Sequence, residues 1–189
     1  MNPDSIIVRL AGPEDEKYAG TITGEMEHSA LLRGSGISKR SPQSIITKMR
    51  EGKGVIALTR QGTWAGFSYM EVWGNGEFVS NSGLIVSPVF RNRGIAKAIK
   101  KLVFSLSRKK YPKAKVISIT TGLPIMKLNA LLGFMPVTFG ELPREKTFWH
   151  GCKSCVNYSI LKSKQYRNCL CTAMLYTPRE KRSRQKGAA

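Results

Sequence analysis

The sequence predicts an α/β (α+β) fold, and three observations carry that prediction. Three runs rich in β-branched and aromatic residues, 55–59, 64–73 and 78–86, follow one another across short turns at Gln61-Gly62 and Gly74-Asn75-Gly76. Directly after them, Ile95, Ile99, Leu102, Val103 and Leu106 recur at the spacing of one helical stripe. A further apolar run, 116–120, and a short helical segment ending at Leu132-Gly133-Phe134 continue the alternation of strand and helix. A hydrophobic content of 41% and a charged content of 23% fit a globular chain, and 189 residues suffice for a real core. Every apolar run is far shorter than the ~18 residues a membrane-spanning helix needs.

The elements before these follow local signals. Residues 5–10 read as a first strand, with Ile6, Ile7 and Val8 as its apolar content. Pro13-Glu14-Asp15-Glu16 suits a helix start, and that helix is expected to continue through Ile22 and Met26 to Leu31-Leu32. Residues 33–40 form a glycine-rich basic loop. Ser41-Pro42 then opens a second helix to about Arg50, ended by Gly52 and Gly54. The expected organisation is one domain over 1–178, with a cysteine-containing part at 141–178, and a basic, disordered tail at 179–189. The first residues show no basic region followed by an apolar core, so the expected location is the cytoplasm.

Charge is the unusual bulk property: 31 basic residues against 12 acidic ones give a net +19. No acid stands between Glu77 and Glu141, while eleven basic residues fall in that interval. Such a field attracts polyanions in general. A nucleic-acid-binding protein is one alternative, but no recognition helix or aromatic-basic platform accompanies the charge.

The most informative stretch is Val86 to Lys97, which leaves an apolar strand, passes Pro88 and enters the helix at Ile95. A helix start has backbone N–H groups without internal partners and the positive end of the helix dipole, so it binds anions. Gly94 permits close approach to the backbone and Ala96 adds little bulk. Arg91 and Arg93 can add charge-assisted hydrogen bonds to phosphate.

Arg91-x-x-Gly94-x-Ala96 after Leu84-Ile85-Val86, with the later Gly133-Phe134 pair, resembles the acyl-CoA pyrophosphate loop of the GNAT N-acyltransferases. The resemblance implies a mixed, mostly antiparallel sheet flanked by helices, and a V-shaped cleft for the pantetheine arm. It also implies acetyl-CoA or succinyl-CoA as co-substrate. On this reading Leu84, Ile85, Val86, Arg91, Asn92, Arg93, Gly94, Ile95, Ala96 and Lys97 form the CoA site. Stretches 33–40, 81–86, 148–152 and 169–176 further resemble a bacterial GNAT subgroup associated with arginine biosynthesis. That implies a small acidic amine, glutamate, as acceptor.

Acyl transfer to an amine needs a base for the ammonium and an acid for the leaving thiolate. Alternation along 65–73 puts Phe67, Tyr69, Glu71 and Trp73 on one face, so Glu71 is expected as a base desolvated among aromatics. Glu77 is the alternative, and His28 reads as a surface or packing residue. Many GNAT enzymes carry a tyrosine four residues before the Gly-Phe pair; Asn129 stands there instead and can only hydrogen-bond the sulfur. The acid is then water or another residue such as Tyr69. Ser80-Asn81-Ser82 replaces the family's usual mid-strand glutamate, and Asn81 and Ser82 are expected to position substrate. Arg33, Lys39 and Arg40 offer a basic loop able to clamp two carboxylates. A protein or RNA acceptor and a homodimer are both compatible with the sequence.

Four cysteines come late, Cys152-x-x-Cys155 and Cys169-x-Cys171, with His150 just upstream. Zinc ligation, reduced packing thiols and a redox role are the three readings, and no metal enters the expected catalytic site.

Overall fold

A central seven-stranded sheet organises the computed structural model, which describes residues 5–32, Gly34 and 39–179. Its strands are β1 (Ile6–Leu10), β2 (Gly54–Thr59), β3 (Trp64–Trp73), β4 (Phe78–Val86), β5 (Lys115–Thr120), β6 (Met135–Val137) and β7 (Thr172–Tyr176). They lie in the order β1-β2-β3-β4-β5-β7-β6. Every neighbouring pair is antiparallel except β4 and β5, which run parallel.

Helices cover both faces. Helices α1 (Ala19–Leu32) and α2 (Pro42–Arg50) pack on one face through Ile22, Met26, Ile45 and Met49 against Phe67, Tyr69 and Ile85. Helix α3 (Ile95–Lys110) packs on the other through Ile95, Ile99, Val103 and Leu106 against Val55, Ala57, Met70 and Val79. Helix α4 (Leu123–Leu131) lies near it, where Phe134 meets Val116 and Met174. No helix among the described residues is long and apolar enough to cross a membrane.

Predicted and observed elements agree as far as Phe134, with one difference. The helix expected from Pro13 begins as a 3-10 turn, Pro13–Tyr18, and becomes α only at Ala19. Buried Asp15 takes the Gly12 N–H at 3.0 Å and both guanidinium nitrogens of Arg9 at 2.6 and 2.8 Å, which tightens the first turn. Beyond Phe134 lie elements with no sequence expectation: β6, β7 and the short helices α5 (Lys146–His150) and α6 (Tyr158–Ser163). They are too short for a periodic signal, and they are held by a cluster of Phe139, Phe148, Trp149, Leu161 and Leu175. The tail from residue 180 lies outside the described residues.

The β3–β4 ladder slips by one residue, from Phe67↔Ile85 to Tyr69↔Ser82, so β4 carries a bulge. Gly83 occupies it with φ of +64°, and a Cβ there would come within 2.5 Å of the Tyr69 ring. Only glycine meets both demands at no steric cost. Gly83→Ala is therefore expected to destabilise the fold by roughly 2–4 kcal/mol, from left-handed strain plus overpacking, as read by the urea midpoint.

Candidate active site

The sheet opens at its centre. Strands β4 and β5 share only three register pairs, Phe78↔Lys115, Val79↔Val116 and Ser80↔Ile117. Beyond them β4 continues to Val86 bonded only to β3, while β5 continues to Thr120 bonded to β7. The facing edge of β4 over 81–86 thus has main-chain groups free to pair with an extended ligand. At the far end of that edge the chain turns into α3. Asn92 (φ 63°) and Gly94 (φ 76°) are both left-handed, which lets the turn close before the helix begins. The first bond into α3 runs from Ala98 N–H to the Gly94 carbonyl, leaving the Ile95, Ala96 and Lys97 amides with no turn of helix behind them. A Cβ on Gly94 would meet no atom within 4 Å, so the space over this turn is open.

The predicted CoA residues divide by role. Arg93, Lys97 and Asn92 are exposed beside the turn, with Arg93 lying 5.6 Å over the Phe90 ring. Arg91 is already committed: it bonds Ser29 Oγ at 2.8 Å, Glu25 at 3.2 Å and the Val86 carbonyl at 3.3 Å. Its guanidinium thus ties the turn to α1. Ile85 and Ile95 are buried in opposite cores, so their side chains pack and only their main chains face the opening.

On the α1/α2 face of the fork stands a polar cluster. Glu71 lies opposite Ser80 and Tyr69 opposite Ser82. Ser82 Oγ donates to Ser80 Oγ at 3.2 Å, and Trp73 Nε1 donates to the same oxygen at 3.0 Å. From the start of α2 the half-buried Arg40 donates Nε–H to Tyr69 OH at 2.5 Å and reaches the Gly151 carbonyl at 3.5 Å. Burial pushes the Tyr69 phenol up from its usual range, with the Arg40 charge pulling against it. Glu71 is not enclosed by aromatics as expected: its carboxylate pairs with Lys48 Nζ of α2 at 3.0 Å, and its side chain is 25% exposed. Lys39 is exposed and paired with Glu27 at 2.5 Å, outside this cluster, and Arg33 lies outside the described residues. Glu77 sits before β4, at the end of the strand opposite the Gly94 turn, and His28 is exposed on α1.

Two expected site residues point elsewhere. Strand alternation turns Asn81 to the α3 face, where Nδ2 donates to Ser107 Oγ at 2.8 Å, so it does not share Ser82's surface. Asn129 is fully buried in α4 against Met174 Sδ at 3.5 Å, which removes it from contact with a thioester sulfur. The oxygens Asn81 Oδ1 and Asn129 Oδ1 are buried without a partner.

Sequence reasoning missed Lys48 and Lys100. Lys100 lies off the apolar stripe of its helix, yet it is 2% exposed. Its ammonium bonds Ser118 Oγ at 3.3 Å, just past the last β4–β5 pair, and lies 5.2 Å over the Phe134 ring. The available signal was a second stripe, Lys100, Phe104 and Ser107, at i, i+4 and i+7. Burial pulls Lys100 down to about 7.

This arrangement of strands and helices recurs in solved structures. The chain superposes on N-acetylglutamate synthase from Neisseria gonorrhoeae complexed with coenzyme A and N-acetyl-glutamate (TM-score 0.66, 14% identity, 93% of this chain and 36% of that one). It superposes equally on a Mycobacterium tuberculosis protein crystallised with CoA (0.64, 15%, 90% and 98%). A third is the phosphinothricin acetyltransferase of Sinorhizobium meliloti, a GNAT-superfamily protein in complex with acetyl-CoA (0.61, 18%, 92% and 88%). The fold is the GNAT fold. At these identities the likeness is one of fold, and the chain spans about a third of the Neisseria synthase. No family model and no curated protein matches the sequence.

The buried lysine generates a pH prediction. Between about pH 7 and 10.5 the unfolded chain holds a proton that folded Lys100 has released, so its cost to stability fades as pH rises through that window. Lys100→Met is expected to stabilise the protein most at pH 6, by on the order of a few kcal/mol, with the difference shrinking toward pH 10 in urea titrations.

Proposed function

We propose that this chain is an acyl-CoA-dependent N-acyltransferase acting on a small acidic amine, with glutamate as the acceptor and arginine biosynthesis as the setting. The observation that carries the reading is the fork between β4 and β5 leading to the open Gly94 turn. Its shape fits an acyl-CoA: pyrophosphate on the amides of Ile95, Ala96 and Lys97, with Arg93 and Lys97 adding charge, and pantetheine amides along the free edge of β4. The thioester end would then lie near the Gly83 bulge, beside Tyr69.

The residues on the α1/α2 face supply the remaining roles. Arg40 retains N–H groups beyond those given to Tyr69, Gly151 and the Lys39 carbonyl, and it is placed to hold an acceptor carboxylate. Glu71 takes the proton that makes the acceptor amine nucleophilic, and Lys48 holds that carboxylate in place. The amine nitrogen attacks the acyl carbon, the C–N bond forms and the C–S bond breaks. Tyr69, whose oxygen already accepts from Arg40, keeps its own proton to give to the departing sulfur. This assigns the acid to Tyr69 now that Asn129 is buried. None of the four cysteines is in a disulfide.

The deciding experiment is CoA thiol release with glutamate, run with acetyl-CoA and with succinyl-CoA. Turnover with one donor well above the glutamate-free background is expected, and none with either donor despite CoA binding would overturn the glutamate acceptor. With turnover in hand, Glu71→Gln is expected to lower kcat about 100-fold or more at unchanged CoA affinity. Arg40→Ala is expected to raise the acceptor KM by roughly 10-fold or more.

A further inference from the structure

The connection between β6 and β7 holds only short helices, α5 and α6, whose hydrogen bonds cannot sustain them alone. All four cysteines of the chain gather here. Cys152 and Cys155 follow α5, and Cys169 and Cys171 lead into β7. Together with Phe139 and Trp149 they surround one cavity of about 20 Å³, room for a single water-sized sphere. Water suits it poorly, because a buried water needs two to four polar partners and this wall is sulfur and apolar carbon apart from Asn157 and Tyr158.

The main chain of Asn157 meets two of the sulfurs, and its carbonyl accepts from Cys169 Sγ at 4.0 Å. The Asn157 N–H donates to Cys155 Sγ at 3.4 Å, and the Cys155 N–H closes a turn on the Cys152 carbonyl at 2.9 Å. An amide aimed at a sulfur stabilises the thiolate over the thiol. None of the four is in a disulfide. Among the described residues no group of three or more His, Cys, Asp or Glu side chains stands close enough, as placed, to hold a metal ion. All four cysteines nonetheless line the same cavity.

We propose that Cys152, Cys155, Cys169 and Cys171 bind one zinc ion as a tetrahedral structural site that clasps residues 146–171 to β7. Coordination by four thiols releases four protons and leaves the ion and its ligands with a net charge of −2. The charge of Arg40 bears on Cys152 and offsets part of the negative charge. Through Gly151, whose carbonyl Arg40 reaches, the clasp would also steady the cluster around Tyr69. Zinc occupancy itself is independent of acyl-transfer chemistry, so either can fail alone.

The test is elemental analysis of the full chain, purified under reducing conditions without chelator, with native thiol titration in parallel. About one zinc per chain is expected, with thiols that react only as a mercurial displaces the metal into a coloured chelator. Cobalt substitution is expected to give thiolate charge-transfer bands and tetrahedral d–d bands, and Cys171→Ser to remove most of the bound metal. Less than about 0.2 zinc per chain with four freely titrating thiols would overturn the site. Stoichiometric iron, or two disulfides found by mass, would overturn it equally. The principal readings use the unaltered chain, so a variant that fails to fold does not blunt them.

Discussion

Two parallel strands that stay bonded for only three register pairs set the terms for the rest of this protein. Where β4 and β5 part after Ser80 and Ile117, the sheet loses a ladder it would otherwise complete. The main-chain groups so exposed can be satisfied only by solvent or by a ligand running along the edge. Everything at the open end is consistent with the second use: the left-handed Asn92 and Gly94, the unpartnered first amides of α3, and the clear space above the turn. Helix α3 can approach this closely because Gly66 carries no side chain, since a Cβ there would stand 2.8 Å from Ile99.

Strand pleat sorts the polar residues of the fork into two environments. Ser80 and Ser82 share a face with Tyr69 and Glu71, while Asn81 between them turns inward to Ser107 beneath α3. One face therefore gathers exchangeable protons and charges. The other holds a buried ammonium and two unpartnered amide oxygens in a largely apolar setting. The arginines also divide between holding the scaffold and facing solvent. Arg91 fastens the turn to Glu25 and Ser29 of α1, whereas Arg93 rests on Phe90 and remains at the surface.

The region after Phe134 is stabilised differently. Its helices are short, its apolar contacts are dominated by rings such as Phe148 and Trp149, and its sulfurs share one small cavity. Its placement matters to the fork because Trp73 packs edge-on against Phe148 at 5.2 Å while donating to Ser80. The segment that precedes the cysteines is thus in direct contact with the strand pair that carries Glu71.

Local periodicity and turn chemistry determined most of the fold from the sequence alone. The stripe from Ile95 to Leu106, the glycine turns between β2, β3 and β4, and the glycine that opens α3 are all read within a few residues of themselves. What the tertiary structure decided are partnerships between residues distant in sequence. Arg40 reaching Tyr69, Lys48 reaching Glu71, and Arg91 held by α1 depend on how helices dock on the sheet. Asn129 and Lys100 show the same limit: each sits on a short or doubly faced helical segment, where the pattern fixes a period and packing chooses which side is buried. The convergence of two cysteine pairs on one cavity is the clearest case, because spacing identifies each pair and only the chain's path brings them together.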